Sequence, residues 1–326
     1  MKNIIIVLGE PNSINSEILS KSLSILKSSK KNFILVGNYN ILKKQLNYLR
    51  LNLKIKLNFL NRIKINKNLF QKFNFIDIPL KQNKAFDLKS NNTNEYILQS
   101  FNEALNLLNN KKAIGIINLP VNKSKFTKKK FPGVTEFIAA KTNLKNKVNM
   151  LIFNKRFSVL PLTTHVPLAK VSKMISYNKI LNACKNVSFF YKNTLKINKP
   201  RIGILGFNPH NGENGYTGIE EKKIIIPSIN KLKKRFKIYG PLSPDTAFIL
   251  QKKLKLNVLI GNYHDQVLQT YKYIFGFNAI NITIGLPFIR ISPDHGTAEN
   301  LIGKNKSNPE SFKEAIKFFS KNNVST

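Results

Sequence analysis

All four histidines of the chain lie in short polar motifs that follow hydrophobic segments. They are His165, His210, His264 and His295, in the sequences Thr-Thr-His-Val-Pro, Asn-Pro-His-Asn-Gly, Asn-Tyr-His-Asp-Gln and Pro-Asp-His-Gly-Thr. Imidazole is the most common metal ligand in proteins, and it can carry a proton near neutral pH. Loops at the ends of strands are where an α/β scaffold presents such groups. The pattern therefore predicts a metal-assisted enzyme.

The spacing of the histidines does not by itself define a metal site. A local motif such as H-E-x-x-H places two histidines one helical turn apart. His165, His210 and His264 instead follow three separate predicted strands, so only the fold could bring them together. Taken alone, His210 could cap a helix and His264 could form a surface pair with Asp265, whose carboxylate could also orient the imidazole.

The loop that contains His210 is rich in glycine. Residues 208–218 include three glycines, which permit a left-handed backbone and the close approach of a ligand. Glu220 and Glu221 follow, at the start of a predicted helix, where the helix dipole favours negative charge. The segment is either an ordinary strand–helix connection or a ligand loop before a helix amino terminus, which is a natural anion site.

Hydrophobic spacing predicts alternating strands and helices around these motifs. The predicted strands are Ile4–Leu8, Phe33–Val36, Ala113–Asn118, Met150–Phe153, Ser158–Leu160, Ile202–Phe207, Val258–Gly261 and Ala279–Ile284. The predicted helices are Glu17–Leu26, Ile41–Leu49, Thr93–Asn109, Leu168–Cys184, Ile219–Phe236 and Asp245–Leu254. This alternation favours an α/β fold with a mostly parallel sheet covered by helices on both faces.

Length and composition indicate a globular protein with two lobes. The chain has 326 residues, of which 42% are hydrophobic, and no segment approaches the roughly 20 consecutive apolar residues of a membrane span. We expect residues 1–130 with 286–326 to form the first lobe and residues 131–285 the second. The lone Cys184 excludes an internal disulfide and a multi-cysteine zinc site, which agrees with a cytoplasmic location.

The net charge of +38 comes from 54 basic and 16 acidic residues. The lysines are spread along the whole chain among asparagine and isoleucine, and no zinc-finger spacing, basic zipper or aromatic RNA-binding motif accompanies them. We therefore predict no specific nucleic-acid partner. A basic surface would attract a phosphorylated substrate and a dinucleotide.

Eight motifs, taken in order, resemble one enzyme family. They are Asn118-Leu-Pro-Val-Asn-Lys, Phe131-Pro-Gly-Val-Thr-Glu-Phe, Thr163-Thr-His-Val-Pro-Leu, Gly206-Phe-Asn-Pro-His-Asn-Gly-Glu-Asn-Gly, Gly240-Pro-Leu-Ser-Pro-Asp-Thr, Tyr263-His-Asp-Gln, Asn281-Ile-Thr-Ile-Gly-Leu-Pro-Phe-Ile-Arg and Asp294-His-Gly-Thr-Ala. Between about residues 118 and 300 the chain closely resembles the 4-hydroxythreonine-4-phosphate dehydrogenases of the pyridoxal phosphate pathway.

The resemblance implies a fold and a reaction. The fold would have two α/β/α lobes, as in isocitrate and isopropylmalate dehydrogenases, with the active site in the cleft between the lobes and at a homodimer interface. The family oxidises the 3-hydroxyl of 4-phosphooxy-L-threonine with NAD or NADP. The product, 2-amino-3-oxo-4-phosphooxybutanoate, then loses carbon dioxide to give 3-amino-2-oxopropyl phosphate. The chain has no G-x-G-x-x-G motif, which agrees because this fold does not bind its dinucleotide through a Rossmann loop.

The resemblance also implies roles for individual residues. The metal ligands, for zinc, magnesium or cobalt, would be His165, His210 and His264, the last supplied by the partner subunit. The substrate contacts would be Thr135, Lys272, Asn281 and Arg290. We further predict catalytic roles for Asp245, Asp265 and Lys272, and a structural or cofactor-side role for His295.

Two segments depart from the family pattern. Val134 stands where the family usually has a histidine that contacts the substrate, and valine cannot donate a hydrogen bond. Residues 9–17 read Gly-Glu-Pro-Asn-Ser-Ile-Asn-Ser-Glu where the family usually has Gly-Asp-Pro-Ala-Gly-Ile-Gly-Pro-Glu. The alternatives are tolerated drift, reduced activity, or a preference for another phosphorylated hydroxy acid such as a four-carbon sugar-acid phosphate. A non-catalytic or nucleic-acid-associated protein of the same fold is a further alternative.

Overall fold

The computed structural model of the protein describes residues 3–60, 71–88, 93–122, 126, 131 and 133–322. Two motif residues, Lys123 and Pro132, lie outside the described residues. The fold is mixed α/β and divides into two compact units, Met1–Ile138 with Pro287–Thr326, and Ala139–Leu286. The first unit extends to Ile138 and so includes Thr135, whereas the sequence expectation ended this lobe at residue 130. No helix in the described ranges is long and apolar enough to cross a membrane.

The described residues contain twelve strands. In chain order they are β1 (Asn3–Val7), β2 (Asn32–Gly37), β3 (Asn58–Phe59), β4 (Phe73–Asp77), β5 (Gly115–Asn118), β6 (Asn149–Phe153), β7 (Ser158–Pro161), β8 (Ile202–Leu205), β9 (Ile238–Leu242), β10 (Val258–Gly261), β11 (Ile280–Ile284) and β12 (Ile289–Pro293). Every strand of the sequence analysis is present, β10 with the predicted bounds and the others with shifted ends. The sequence indicated edge strands and loops over 52–92, where β3 and β4 lie, without giving their bounds, and β9 and β12 were not predicted.

Ten α-helices accompany the strands in the described part of the chain. They are α1 (Asn15–Lys21), α2 (Leu23–Ser28), α3 (Tyr39–Tyr48), α4 (Thr93–Asn109), α5 (Val134–Lys141), α6 (Tyr177–Asn193), α7 (Ile226–Leu232), α8 (Ala247–Lys253), α9 (His264–Phe275) and α10 (Glu310–Lys321). Short 3₁₀ turns cover Leu168–Lys170, Ser172–Met174, Pro209–Gly215 and Glu299–Leu301, and a π-helical turn covers Glu221–Ile225.

The first unit contains a parallel arrangement of strands in the order β3-β4-β2-β1-β5-β12. Ile5 on β1 pairs in register with Ile34 on β2 and Ile116 on β5, and all three are fully buried. Continuous apolar strands of this kind are typical of parallel sheets that are covered on both faces. Helix α4 packs against β1 and β2, and α10 packs against β12.

The second unit contains strands in the order β11-β6-β7-β10-β8-β9. Strands β7, β10, β8 and β9 run parallel to one another, whereas β6 runs antiparallel to both β7 and β11. Gly261 at the end of β10 is in register with Pro161 at the end of β7, and Ile260 is in register with Ile204 on β8. The carboxyl ends of these three strands therefore lie side by side.

Helix α9 is anchored in the core of the second unit. Its buried residues Val267, Leu268, Tyr271 and Phe275 recur at the spacing of one helical face. The hydroxyl of Tyr271 donates a hydrogen bond of 2.9 Å to the carbonyl of Phe157. This helix, which was not predicted, fixes the position of its first residue, His264.

Three predicted helices differ from the structure. The helix expected over 17–26 is two helices, α1 and α2, which are separated at Ser22. The helix expected over 168–184 is wrong in its first half, where two 3₁₀ turns precede α6. Ser176 caps α6 by accepting a hydrogen bond from the backbone N–H of Lys179, so the α-helix begins there. The helix expected over 219–236 is a π-helical turn followed by α7. Pro227 lies at this change, and proline cannot donate the backbone hydrogen bond of an α-helix.

Candidate active site

The loops after β7, β8 and β10 carry His165, His210 and His264, and Asn262 ties these loops together. Its side chain is 1% exposed, and its Nδ2 donates to the carbonyls of Leu205 and Gly206 at 3.1 and 2.9 Å. The hydroxyl of Thr163 donates to the Asn262 carbonyl at 2.8 Å. Gln266 adds a hydrogen bond of 2.8 Å to the Gly206 carbonyl. The segment from Asn262 to Gln266 thus connects the ends of β7, β8 and β10 through hydrogen bonds.

His264 begins α9 and is oriented by its neighbour Asp265. The Nδ1 atom of His264 lies 2.7 Å from Oδ1 of Asp265. A carboxylate in this position accepts the proton of Nδ1 and leaves the lone pair of Nε2 for a ligand, as in many metal sites. The ring of His165 lies nearby, with 6.2 Å between the two ring centroids. The structure therefore brings two of the predicted ligands together.

These two histidines line one open pocket with both predicted aspartates. The pocket has a volume of about 730 Å³, and its lining includes His165, Asp245, His264 and Asp265. A hydrogen bond from the Ser243 side chain is the main cause that lowers the pKa of Asp245, and the charge of His210 contributes further. Asp245 is therefore a carboxylate at neutral pH.

His210 lies in a turn with an uncommon backbone. Residues 210–214 all have φ between 45° and 77°, in the left-handed region, and only Gly212 among them lacks a Cβ atom. A left-handed backbone costs about 1–2 kcal/mol for a residue with a side chain, and less for asparagine, so His210 and Glu213 carry most of this cost. The His210 side chain is 68% exposed, and its Nδ1 lies 3.3 Å from Oε1 of Glu213.

The donor chemistry of these histidines fits a divalent metal ion. In both His264 and His210 a carboxylate oxygen faces Nδ1, which directs Nε2 outward. Within the described ranges, no group of three His, Cys, Asp or Glu residues lies close enough to hold one ion. A single chain brings His165 and His264 together as a pair.

The first unit contains a second group of predicted residues, centred on Arg290. Arg290 is 3% exposed, and it donates from Nε to Oδ1 of Asn118 at 2.7 Å and from Nη1 to the hydroxyl of Thr135 at 3.1 Å. Burial lowers the pKa of Arg290 to about 10, and the charge of Glu136 opposes this shift. The guanidinium therefore remains charged at neutral pH. The role of Asn118 was not predicted, although it begins one of the quoted motifs.

Lys272 and Asn281 lie elsewhere in the second unit. Lys272 is on α9, seven residues after Asp265, so the two share a helix face about 10 Å apart along the axis. Asn281 lies on β11, and its buried Oδ1 has no hydrogen-bond partner among the described residues. Among the described residues, those that line the pocket of His165 and His264 do not include Lys272 or Asn281.

The two segments that depart from the family pattern both lie in the first unit. Val134 begins α5 and is 6% exposed, next to Thr135. At the start of α1, Nδ2 of Asn15 donates to the carbonyls of Leu8 and Pro120, both at 2.8 Å. This side chain ties the ends of β1 and β5 together. His295 lies in the same unit, with Nδ1 3.0 Å from the Gly296 carbonyl.

Comparison with known proteins identifies the family. Residues 29–319 match the family model described as "Pyridoxal phosphate biosynthetic protein PdxA". The chain belongs to this family. It is 35% identical to the 4-hydroxythreonine-4-phosphate dehydrogenase of Sulfurihydrogenibium sp. (strain YO3AOP1), over 97% of each chain. It is 30% identical to the D-threonate 4-phosphate dehydrogenase of Pectobacterium atrosepticum, again over 97% of each chain.

Solved structures give the same result for the fold. The 4-hydroxythreonine-4-phosphate dehydrogenase of Klebsiella pneumoniae matches with a TM-score of 0.84 at 28% identity, covering 98% of this chain and 97% of the other. Isocitrate dehydrogenase from Methylococcus capsulatus matches with a TM-score of 0.50 at 9% identity, over 97% of this chain and 84% of the other. The second likeness concerns the fold alone, and it confirms the predicted fold class.

Proposed function

We propose that this PdxA family member is a cytoplasmic, metal-dependent 4-hydroxythreonine-4-phosphate dehydrogenase of pyridoxal phosphate biosynthesis. It oxidises the 3-hydroxyl of 4-phosphooxy-L-threonine with NAD or NADP to 2-amino-3-oxo-4-phosphooxybutanoate. This product loses carbon dioxide to give 3-amino-2-oxopropyl phosphate. The observation that carries the proposal is the match to the PdxA family over residues 29–319. It is supported by the pocket at the strand ends of one chain, which presents His165, Asp245, His264 and Asp265.

The proposed metal ligands are His165 and His210 of one subunit and the partner's His264. Three imidazoles suit zinc or cobalt, and magnesium would need additional oxygen ligands. The bound ion would lower the pKa of the substrate hydroxyl and draw electrons toward the new ketone. The contribution of Asp265 is to hold His264 in the tautomer that binds, through the 2.7 Å contact with Nδ1.

Asp245 is the proposed acceptor of the hydroxyl proton. A general base must be ionised at the working pH and must reach the proton that it removes. The hydrogen bond from Ser243 lowers the pKa of Asp245, so the carboxylate is ionised, and it faces the same pocket as His165 and His264. Because its pKa is low, Asp245 is a weak base. It would therefore accept the proton of a hydroxyl whose own pKa the bound ion has already lowered.

The proposed substrate anchors are Arg290, Thr135, Lys272 and Asn281. Arg290 is held rigidly by Asn118 and Thr135, and a guanidinium matches the geometry of carboxylate or phosphate oxygens. Lys272 supplies a second positive charge from α9. The buried Oδ1 of Asn281 is an acceptor that a substrate ammonium group could satisfy.

The exposed apolar side chains support a homodimer. Ten of the thirteen exposed large hydrophobic residues in the described ranges belong to the second unit. Tyr273 and Ile274, which are 92% and 44% exposed, lie on the helix that His264 begins, and Leu168, which is 63% exposed, lines the pocket of His165. Exposed apolar side chains can mark an interaction surface, and Leu168 contributes to such a surface beside His165.

A mixing experiment tests the shared site. His165→Ala and His264→Ala subunits should each be inactive, because each homodimer lacks one ligand in both sites. In a mixed dimer one site lacks both ligands and the other is intact. Random mixing should therefore restore about a quarter of wild-type activity. A purified mixed dimer without activity would show that the site is not shared in this way.

A second candidate substrate is D-threonate 4-phosphate. The relative from Pectobacterium atrosepticum that carries this substrate in its name aligns over 97% of the chain. The two substrates differ at C2, which bears an amino group in one and a hydroxyl in the other. Val134, which is 6% exposed, is the position where this chain loses a substrate contact expected from the family.

A cofactor-reduction assay with both substrates tests the proposal. Each substrate would be offered with NAD or NADP and with zinc, cobalt or magnesium. We expect turnover with 4-phosphooxy-L-threonine to exceed turnover with D-threonate 4-phosphate, and we expect His165→Ala to abolish it. The reverse preference would establish the second candidate. If neither substrate reduces either cofactor, the dehydrogenase function is refuted.

A further inference from the structure

Glu221 bonds to the loop that carries His210. One carboxylate oxygen, Oε1, accepts hydrogen bonds from the backbone N–H groups of Phe207 and Asn208 at 2.6 and 2.7 Å. The other, Oε2, accepts from Nδ2 of Asn208 at 2.8 Å. Glu221 is 2% exposed, so these charge-assisted bonds are shielded from water. Its carboxylate thus holds the chain immediately before His210.

The 206–218 loop packs closely around the Glu221 carboxylate. A Cβ atom at Gly212 would lie 2.8 Å from Oε2 of Glu221 and 2.6 Å from the carbonyl of Gly218. A Cβ atom at Gly206 would lie 3.1 Å from Oε1 of Glu221. The left-handed residues 210–214 therefore run over the Glu221 side chain, with glycines at the points of closest approach.

We propose that Glu221 is the positioning residue that holds the 206–218 loop in its left-handed conformation and so directs the imidazole of His210. The inference rests on the proposed role of His210 as a metal ligand. His210 and the four residues after it all have a left-handed backbone, and four of these five residues carry a side chain. Such a conformation persists only where surrounding contacts determine it. Glu221 supplies three such contacts from a buried position.

The neighbouring Glu220 provides a matched control. Its carboxylate accepts from the hydroxyl of Ser172 at 2.5 Å and from Nδ2 of Asn208 at 2.8 Å. It also accepts from the backbone N–H of Ile219, whereas the backbone N–H groups of Phe207 and Asn208 donate to Glu221. Glu220→Gln therefore changes the same charge one residue away and leaves the backbone bonds of Phe207 intact.

The central variant is Glu221→Gln, studied in the full-length protein. Glutamine keeps one acceptor oxygen but places an NH₂ donor against the Nδ2 donor of Asn208. Gly212→Ala perturbs the same contact from the loop side and serves if Glu221→Gln does not fold. The first readout is hydrogen–deuterium exchange of residues 206–218, with α6 as the internal reference. The second is the affinity of the metal-stripped protein for cobalt, with His210→Ala for comparison.

We expect exchange in the loop to rise about tenfold in Glu221→Gln and Gly212→Ala while exchange in α6 stays unchanged. Cobalt affinity should fall about 10–100-fold, the usual effect of losing a group that orients a ligand. Glu220→Gln should remain within about threefold of wild type in both readouts. Wild-type exchange in Glu221→Gln, or faster exchange with unchanged cobalt affinity, would overturn the inference.

His210→Ala separates this inference from the proposed function. If His210→Ala weakens cobalt binding and Glu221→Gln does not, the positioning role is wrong and the ligand assignment stands. If His210→Ala binds cobalt as tightly as wild type, the ligand assignment is wrong and the inference is overturned with it.

Discussion

The substitution Val134→His restores the residue that the family usually carries at this position. Val134 is 6% exposed and begins α5, next to Thr135, whose hydroxyl accepts a hydrogen bond from Arg290 at 3.1 Å. An added hydrogen bond to a charged substrate group contributes about 1.5–3 kcal/mol. This corresponds to roughly a ten- to hundredfold increase in kcat/KM.

The same substitution also has a structural cost. An imidazole in a space shaped for valine overpacks the site, at about 1–3 kcal/mol of unfolding free energy. We therefore expect a lower Tm together with a higher kcat/KM for 4-phosphooxy-L-threonine. Val134→Leu is the matched control, because it adds volume without a donor and should lower Tm without raising kcat/KM.

The assay compares kcat/KM for 4-phosphooxy-L-threonine and D-threonate 4-phosphate in the three proteins. If Val134→His leaves the first substrate unchanged and lowers activity on the second, the pocket is adapted to the second substrate. If Val134→His and Val134→Leu change kcat/KM alike, the hydrogen-bond argument is refuted.

Three further predictions concern other parts of the chain. Arg290→Lys, which loses the rigid two-bond attachment of the guanidinium, should raise KM about tenfold or more, whereas Arg201→Lys should leave KM unchanged in the same assay. Asn15→Ala removes hydrogen bonds to buried carbonyls, so denaturant titration should show about 1–3 kcal/mol less unfolding free energy, with the exposed Asn110→Ala as control. Burial raises the pKa of the Cys184 thiol from 9.0 to about 12, so alkylating reagents should modify it only after unfolding. Because the thiol ionises more easily in the unfolded chain, the unfolding free energy should be unaffected by ionisation of Cys184 below pH 9 and should fall as the pH rises toward about 12.

The strands that carry the site were predictable because their residues are apolar throughout. β8 and β10 are buried at every position, and a strand buried on both faces has an unbroken apolar sequence. Helix α9 was not predicted because the polar residues His264 and Asp265, which follow a strand, are typical of a loop. Its buried face, Val267 and Tyr271 included, shows the helical spacing in the sequence.

The strand ends that carry the candidate site residues were predictable, but the groups that position those residues were not. His165 and His264 follow strands whose ends lie side by side, as parallel pairing requires. The role of Glu221 depends on backbone N–H groups 13 and 14 residues earlier in the chain, and no spacing rule indicates such contacts. Asn262 likewise bonds to carbonyls 56 and 57 residues away.

The proposed function requires that this chain oxidises and then decarboxylates a phosphorylated hydroxy-amino acid. The most direct measurement follows reduced cofactor and released carbon dioxide together, with 4-phosphooxy-L-threonine labelled in its carboxyl carbon and with a divalent metal present. We expect one carbon dioxide for each NADH or NADPH formed, and neither product from His165→Ala. If the wild-type protein forms neither product with any of the metals and either cofactor, the proposed function is wrong.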